Sequence, residues 1–128
     1  QHWELCQAPI DGTFASISTK LFDLNVHVPG VITDALSEVG LEPGDVEHYV
    51  FHQPSNLMVD KVLNDLGVDT GRALKVHKWF GNTVSTSVAL CFHELILSNR
   101  LKPGDRLVMC SAAAGFTMVA IVGEWVAD

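Results

Sequence analysis

Two polar residues lie where predicted helices and strands would bring chemical groups together. His52 ends segment 48–52, whose aromatic and β-branched residues predict a strand. Asn82 lies in a Gly-Asn-Thr turn, directly before an apolar segment with helical spacing. Ligands of α/β sheets bind beyond the carboxyl ends of the strands. A histidine there can exchange a proton near neutral pH, and an amide can donate a hydrogen bond to a developing negative charge.

Each of these residues also has a purely structural explanation. A histidine after a strand is often satisfied by its local turn. Asn82 fits a helix N-cap, for which Asn is among the best residues. The small residues of segment 112–115 can present backbone N–H groups to an oxyanion, or can simply form a tight connection. Residue types alone leave these alternatives open.

Hydrophobic spacing and turn residues predict the elements that position the candidates. A helix over 31–39 ends at Gly40, and a second helix begins at Ser55 and ends at Gly67. A third helix, over 83–97, is apolar on much of its surface and is expected to be mostly buried. Strands are predicted at 14–18, 48–52, 73–76, 107–110 and 116–122.

A short internal repeat indicates how these elements are arranged. LEPGD at 41–45 recurs as LKPGD at 101–105, and each copy follows a helix and precedes a strand. Because proline fixes φ and glycine permits a reversal, both copies predict the same turn. Alternating helix–turn–strand units favour parallel pairing, whereas the short link between the last two strands favours antiparallel pairing. The sequence therefore predicts an α/β fold with a mixed sheet.

Composition restricts the classes of protein to consider. The chain has 128 residues, which fit one domain; 48% of them are hydrophobic, and the formal net charge is −7. The negative charge argues against nucleic-acid binding, and no apolar run approaches the ~20 residues of a membrane-spanning helix. The three cysteines (Cys6, Cys91 and Cys110) form no CxxC pair. Their odd count argues against a disulfide framework and favours a cytoplasmic location.

The six histidines show no spacing typical of metal ligands. His48 and His52 share a face of the predicted strand but would lie ~13 Å apart, too far to bind one ion. His93 has no second histidine at helical spacing. No metal site is therefore predicted. Cys91 and Cys110 lie in apolar elements and are expected to be buried structural thiols.

Several short motifs, taken in order, resemble the ketoacyl-ACP synthase III family. They are HQPS at 52–55, LG at 66–67, FGNTVSTS at 80–87, KPGD at 102–105 and AAGFT at 113–117. These are similar to the family's HQxS or HQxN, LG, GNTSxxS, KPGD and GGGFT sequences, and together the resemblance covers residues 41–125. Residues 1–30 match only loosely.

The resemblance implies one half of a thiolase-like fold, with a mixed, roughly five-stranded sheet and helices packed on it. Residues 1–128 would form a single C-terminal domain. It also implies a condensing enzyme in which His52 and Asn82 stabilise an enolate during decarboxylative Claisen condensation. Backbone at Ala114 would hold an oxyanion, and Ser55, Phe80 and Gly81 would contact substrate. The nucleophilic cysteine would come from an N-terminal half, because none of the three cysteines matches its position.

The family also implies partners and substrates. The substrates would be acyl-CoA or acyl-carrier-protein thioesters, with no cofactor, and the assembly a homodimer or pseudo-dimer. The apolar helix over 83–97 would form an interface, so the chain alone is expected to self-associate. Two departures from the family pattern stand out: Ala113 and Ala114 replace glycines, and Leu57 replaces a frequent arginine. With the negative charge, Leu57 favours CoA over a carrier protein.

Two further functions remain open from the sequence. The chain can be a non-catalytic or partner-dependent thiolase-like half, since it lacks a matching nucleophile. It can also belong to a relative that transfers acyl groups to oxygen or nitrogen acceptors. A metal-dependent hydrolase that uses the histidines is excluded by their spacing.

Overall fold

A mixed sheet forms the centre of the domain. The computed structural model describes residues 6–7, 11–12, 15–16, 20, 23–113 and 117–126. Strand β3 (His48–Phe51) pairs in parallel with β4 (Arg106–Ala113), which pairs antiparallel with β5 (Thr117–Glu124). Two short strands, β1 (Cys6–Gln7) and β2 (Ala15–Ser16), form a separate antiparallel pair. The predicted α/β class, the parallel pairing and the final antiparallel pairing are confirmed.

The strand count differs from the sequence prediction. Within the described ranges the central sheet has three strands, in the order β3-β4-β5, rather than roughly five. The predicted strand over 73–76 is wrong, because this segment contributes only an isolated parallel bridge from Ala73 to Tyr49. The predicted strand over 14–18 is reduced to β2 within the part of the chain that is described.

Four helices whose two ends are both described accompany this sheet. They are α1 (Val28–Ser37), α2 (Asn56–Asp65), α3 (His77–Phe80) and α4 (Ser87–Leu97). Short 3₁₀ turns lie at Asn25–His27, Pro43–Asp45, Thr70–Arg72 and Val84–Thr86. Gly40, which has a φ of +71°, ends the first helical segment as predicted. Ser55 caps α2, since its Oγ accepts from Met58 N–H at 3.2 Å.

The helices cover both faces of the sheet and create two apolar clusters. On one face, α1 and α2 pack with Tyr49, Phe51 and Val108 of the strands. On the other face, Cys91 and Leu95 of α4 pack with strand residues. Because successive strand residues point to opposite faces, the continuously buried β3 serves both clusters.

The helix predicted over 83–97 is not mostly buried. It begins as the 3₁₀ turn Val84–Thr86, continues as α4, and buries only the face that carries Ser87, Cys91 and Leu95. Ile96 and Leu97 are exposed. The expectation was wrong for this chain because one sheet covers only one side of α4.

The two repeated PGD turns have the same chemistry, as predicted. Oδ2 of Asp45 accepts from Glu42 N–H at 2.9 Å, and Oδ2 of Asp105 accepts from Lys102 N–H at 2.8 Å. Oδ2 of Asp105 also lies 3.0 Å from Nε2 of His48. The two turns therefore lead into adjacent parallel strands, which fixes β3 beside β4.

A buried glutamine anchors segment 74–77, which follows the Ala73 bridge. The Gln53 side chain is fully buried. Its Nε2 donates to Leu74 O at 2.7 Å, and its Oε1 accepts from Val76 N–H at 2.8 Å and from His77 N–H at 3.2 Å. These backbone groups are satisfied by a side chain rather than by a neighbouring strand. This explains why only Ala73 pairs with β3.

We expect Gln53→Leu to destabilise the chain by ~2–5 kcal/mol, since the N–H groups of Val76 and His77 would lose their partner, at ~1–3 kcal/mol for each buried one, and Leu74 O would keep only the Cys91 thiol. Urea unfolding of the purified chain measures this free energy. Asn64→Leu, at an exposed position of α2, is the matched control and should change stability by no more than ~0.5 kcal/mol. Equal effects of the two variants would show that Gln53 does not anchor the segment.

Candidate active site

His52 lies directly after β3, at the carboxyl end of the strand. Its backbone N–H donates to Cys110 O at 2.9 Å, which continues the pairing with β4 for one more residue. Its ring Nδ1 lies 3.0 Å from the carbonyl oxygen of Val84. A carbonyl only accepts hydrogen bonds, so Nδ1 carries a proton in this geometry. The other nitrogen of the half-buried ring, Nε2, is therefore the atom available for proton exchange.

The environment of His52 favours the neutral ring. Burial lowers the pKa of His52 below its usual 6.5, and the hydrogen bond to Val84 opposes this shift. Desolvation penalises the charged imidazolium, whereas the carbonyl partner favours it. Because burial is the larger cause, the ring titrates below its ordinary range.

Asn82 has a structural role at the start of the turn that leads into α4, although it is not the N-cap residue of that helix. Its Oδ1 accepts from Val84 N–H at 3.0 Å, an Asx-type bond at the start of the 3₁₀ turn that leads into α4. An amide has a separate NH₂ group with two donors, which this bond does not use. The structural role and a donor role are therefore compatible, because they use opposite ends of the same amide.

Val84 connects the two candidates, and it was missed as a candidate in the sequence. Its N–H binds Asn82 and its C=O binds His52, each at 3.0 Å. Its φ of +51° is in the left-handed region, which β-branched residues rarely adopt. Such strain costs ~1–3 kcal/mol and is typical of functional sites. Nothing in the sequence indicated a left-handed conformation at this valine.

The residues expected to contact substrate are distributed around this turn. Phe80 ends α3 and is exposed. Gly81, with φ +69° and ψ −160°, follows it in a conformation that favours glycine and turns the chain towards Asn82. Ser55 lies on the other side of His52 in the chain, and its hydroxyl oxygen caps α2. Ala114, the expected oxyanion residue, lies outside the described residues.

Two buried polar residues support the site but were not singled out from the sequence. Ser87, at the first position of α4, accepts from Gln53 N–H at 3.0 Å through its Oγ. Nε2 of Gln53 also lies 3.1 Å from Sγ of Cys91. The signal available in the sequence was a polar side chain in an otherwise apolar setting. These contacts tie the residue after His52 to the helix after Asn82.

The two cysteines with described side chains are not nucleophiles. Cys91 and Cys110 are buried. Burial raises the pKa of Cys91 to about 11 and that of Cys110 to about 12. Since the thiolate is the reactive form, both thiols are inert near neutral pH. The prediction that they are buried structural thiols is confirmed.

A polar cavity lies away from this site. It has a volume of about 300 Å³ and lies at the amino-terminal ends of β3 and β4, lined by Glu47, His48, Arg72, Arg100, Lys102 and Asp105. His52 and Asn82 do not line it. Among the described residues, no group of three or more His, Cys, Asp or Glu side chains is placed to hold a metal ion. No helix in the described ranges is long and apolar enough to cross a membrane.

Known proteins resemble this chain in sequence. The family model for the C-terminal domain of 3-oxoacyl-[acyl-carrier-protein] synthase III matches residues 36–125. The β-ketoacyl-[acyl-carrier-protein] synthase III of Chlorobium chlorochromatii is 33% identical over 95 residues, which cover 74% of this chain and 29% of the relative. The corresponding protein of Desulfitobacterium hafniense is 31% identical over 114 residues, which cover 88% of this chain and 34% of the relative. The chain thus spans about a third of the length of these relatives.

Solved structures share the fold. The 3-oxoacyl-(acyl carrier protein) synthase III of Pseudomonas aeruginosa superposes with a TM-score of 0.94 at 20% identity, over 98% of this chain and 42% of that chain. The enzyme of Thermus thermophilus superposes with a TM-score of 0.85 at 27% identity, over 95% of this chain and 42% of that chain. The thiolase-like fold expected from the motifs is confirmed. This chain therefore belongs to the 3-oxoacyl-[acyl-carrier-protein] synthase III family and corresponds to its C-terminal part.

Proposed function

We propose that this chain supplies His52 and Asn82 to an acyltransferase that condenses an acyl thioester with a malonyl thioester. The nucleophilic cysteine comes from an N-terminal thiolase-like half, the part of its relatives that this chain does not span. The observation that carries the proposal is the joint attachment of both side chains to Val84, at the carboxyl end of β3. In this family, that edge of the sheet is where the motifs HQPS and GNTV meet.

The first step is acyl transfer to cysteine. The partner cysteine gives up its thiol proton, its sulfur attacks the acyl carbonyl, and the bond between that carbon and the carrier sulfur breaks. The carrier sulfur takes up this proton and leaves as a thiol. Neutral His52 is suited to hold this proton in transit, because burial keeps its ring uncharged near neutral pH.

The second step is decarboxylation and carbon–carbon bond formation. The malonyl carboxylate leaves as carbon dioxide, and negative charge develops on the thioester oxygen. The Asn82 NH₂ group donates to that oxygen, and His52 donates to it when its ring is protonated. The enolate carbon attacks the acyl-cysteine, the bond to the cysteine sulfur breaks, and the thiolate takes up one proton. By family resemblance, backbone N–H at Ala114 holds the tetrahedral oxyanion.

The substrate surface is assigned to Ser55, Phe80 and Gly81, beside this pair. The thiol carrier is CoA or an acyl carrier protein. Leu57 supports CoA, because it exposes an apolar side chain where family members often present arginine, and the chain has a net charge of −7. A relative from Streptomyces, 24% identical, is named acetoacetyl CoA synthase. The assembly is a homodimer or pseudo-dimer of thiolase-like halves.

A transferase that acylates oxygen or nitrogen is the second candidate. It needs the cysteine and a base but no malonyl decarboxylation. The free NH₂ group of Asn82 favours condensation, since it is suited to stabilise an enolate. A non-catalytic partner role is less consistent with the strained backbone of Val84, which costs stability and holds both polar side chains.

Asn82→Asp tests the enolate donor in the complete enzyme that contains this chain. The variant keeps an oxygen for Val84 N–H but loses the NH₂ donor, so condensation should slow by ~10²–10³-fold with little loss of stability. Release of carbon dioxide from a malonyl thioester is the measurement. Asn64→Asp on α2 is the control. An undiminished rate for Asn82→Asp would remove Asn82 from the mechanism, and a wild-type enzyme that transfers acyl groups without releasing carbon dioxide would favour oxygen or nitrogen acceptors.

The absence of a reactive thiol at Cys91 and Cys110 is tested by alkylation. Because burial raises both pKa values, iodoacetamide at pH 7.5 should leave these two thiols unmodified in the folded chain and modify them after unfolding. Peptide mass spectrometry locates the modified sites. Rapid labelling of either thiol in the folded protein would provide a nucleophile within this chain and contradict the need for a partner cysteine.

The partner half is tested by the intact mass of the protein in its native source. A polypeptide of two to three times 13.9 kDa is expected, which leaves room for the half that carries the cysteine. A polypeptide of 13.9 kDa that co-purifies with a second thiolase-like chain would also support the proposal, with the halves encoded separately. A native polypeptide of that mass with no such partner would contradict it.

A further inference from the structure

Val84 is the point where the hydrogen bonds of both candidate side chains converge. Its N–H and C=O groups bind Asn82 and His52, and its exposed side chain contributes to neither bond. The backbone presents both groups while it adopts a left-handed φ of +51°. The function of this residue thus depends on its backbone, and the identity of its side chain matters little.

The local sequence removes a competing arrangement for His52. An unprotonated ring nitrogen is an acceptor, for which a backbone N–H two residues further along could be a donor. At that position Pro54 has no N–H, so the ring cannot accept a hydrogen bond there. The Val84 carbonyl is the hydrogen-bond partner of the ring among the described residues. Since the bond made by one ring nitrogen sets the tautomer, the proton is placed on Nδ1.

We propose that Val84 is a positioning residue that fixes His52 as its Nδ1–H tautomer and occupies the oxygen end of Asn82. The neutral site then offers one hydrogen-bond acceptor, Nε2 of His52, and one donor group, the NH₂ of Asn82. It does not offer two donors, as the family resemblance had suggested. His52 donates from Nε2 only after that atom has bound a proton.

This part of the inference rests on the proposed reaction. There, the Nδ1–H tautomer leaves Nε2 to accept and to supply the proton. In acyl transfer, Nε2 accepts the cysteine proton and returns it to the departing carrier thiolate. Condensation consumes one proton, which the cysteine thiolate takes up. A protonated Nε2 donates to the enolate oxygen and then supplies that proton. The two half-reactions therefore require opposite protonation states of one atom.

Charged side chains on the neighbouring elements do not determine the titration of the His52 ring. The titratable side chains on neighbouring elements are Asp60, Lys61 and Asp65 of α2, His77 and Lys78 of α3, Cys91, His93 and Glu94 of α4, and Arg106 and Cys110 of β4. None of them is a cause of the His52 pKa shift, which comes from burial and the Val84 carbonyl. Acyl transfer should therefore slow as pH falls through the lowered pKa, and condensation should slow as pH rises through it.

Nitrogen NMR of the ¹⁵N-labelled chain tests the tautomer without any activity. Long-range ¹H–¹⁵N spectra distinguish protonated from unprotonated ring nitrogens, and the His52→Asn variant identifies the His52 signals. At pH 7.5 we expect Nδ1 to be protonated and Nε2 to be unprotonated. A ring protonated on Nε2, or an even mixture of tautomers, would overturn the proposal.

Two substitutions at Val84 distinguish the role of its backbone from the role of its side chain. Glycine adopts a φ of +51° without strain, so Val84→Gly should keep the Nδ1–H tautomer. Proline fixes φ near −65° and lacks N–H, so Val84→Pro should lose the tautomer preference and mix both forms. A changed tautomer in Val84→Gly would contradict the assigned backbone role. If Val84→Pro does not fold, the wild-type and glycine spectra still decide.

The pH dependence of the two half-reactions in the complete enzyme gives the functional measurement. Opposite slopes through a common pKa are expected for acyl-cysteine formation and for malonyl decarboxylation. Decarboxylation that stays constant above this pKa would mean that neutral His52 still donates from Nε2, which overturns the proposal. An enzyme that lacks decarboxylation altogether, but whose chain shows the Nδ1–H tautomer, would refute the proposed function and leave the role of Val84 intact.

Discussion

The hydrogen bonds of the buried Gln53 side chain hold the candidate site together. Gln53 follows His52 at the end of β3, and its amide satisfies backbone groups of segment 74–77 that have no strand partner. Its own N–H binds Ser87 at the start of α4. An unpaired buried polar group is costly, so the loss of any of these bonds would lower stability. The strand end, the segment before α3 and the start of α4 are therefore fixed relative to one another.

This constraint explains how Val84 can remain in a strained conformation. The backbone between α3 and α4 is held on one side by Gln53 through Val76 and His77, and on the other by Ser87. A left-handed β-branched residue persists only when its surroundings determine the conformation. The stability lost at Val84 is offset by buried bonds elsewhere, and the result is a backbone unit that orients two polar side chains.

In the proposed reaction, the domain supplies His52 and Asn82, and a partner half supplies the nucleophile. The thiols of Cys91 and Cys110 are buried and inert. His52, at the carboxyl end of β3, and Asn82 are both bonded to Val84. Exposed apolar side chains are found on α4 and β5, including Leu97, Val119 and Ile121. An apolar surface of this kind is typical of a protein that associates.

The sequence by itself determined the local structure and the family of this protein. The Ser55 cap, the Gly40 stop and the repeated PGD turns depend on neighbouring residues, and the ordered motifs identified His52 and Asn82. Only the tertiary structure decided that segment 74–77 binds a glutamine instead of a strand, that α4 is buried on one face, and that Val84 links the two polar residues. The physical reason is distance along the chain: the bond from His52 to Val84 joins residues 32 positions apart, and no local pattern specifies such a contact.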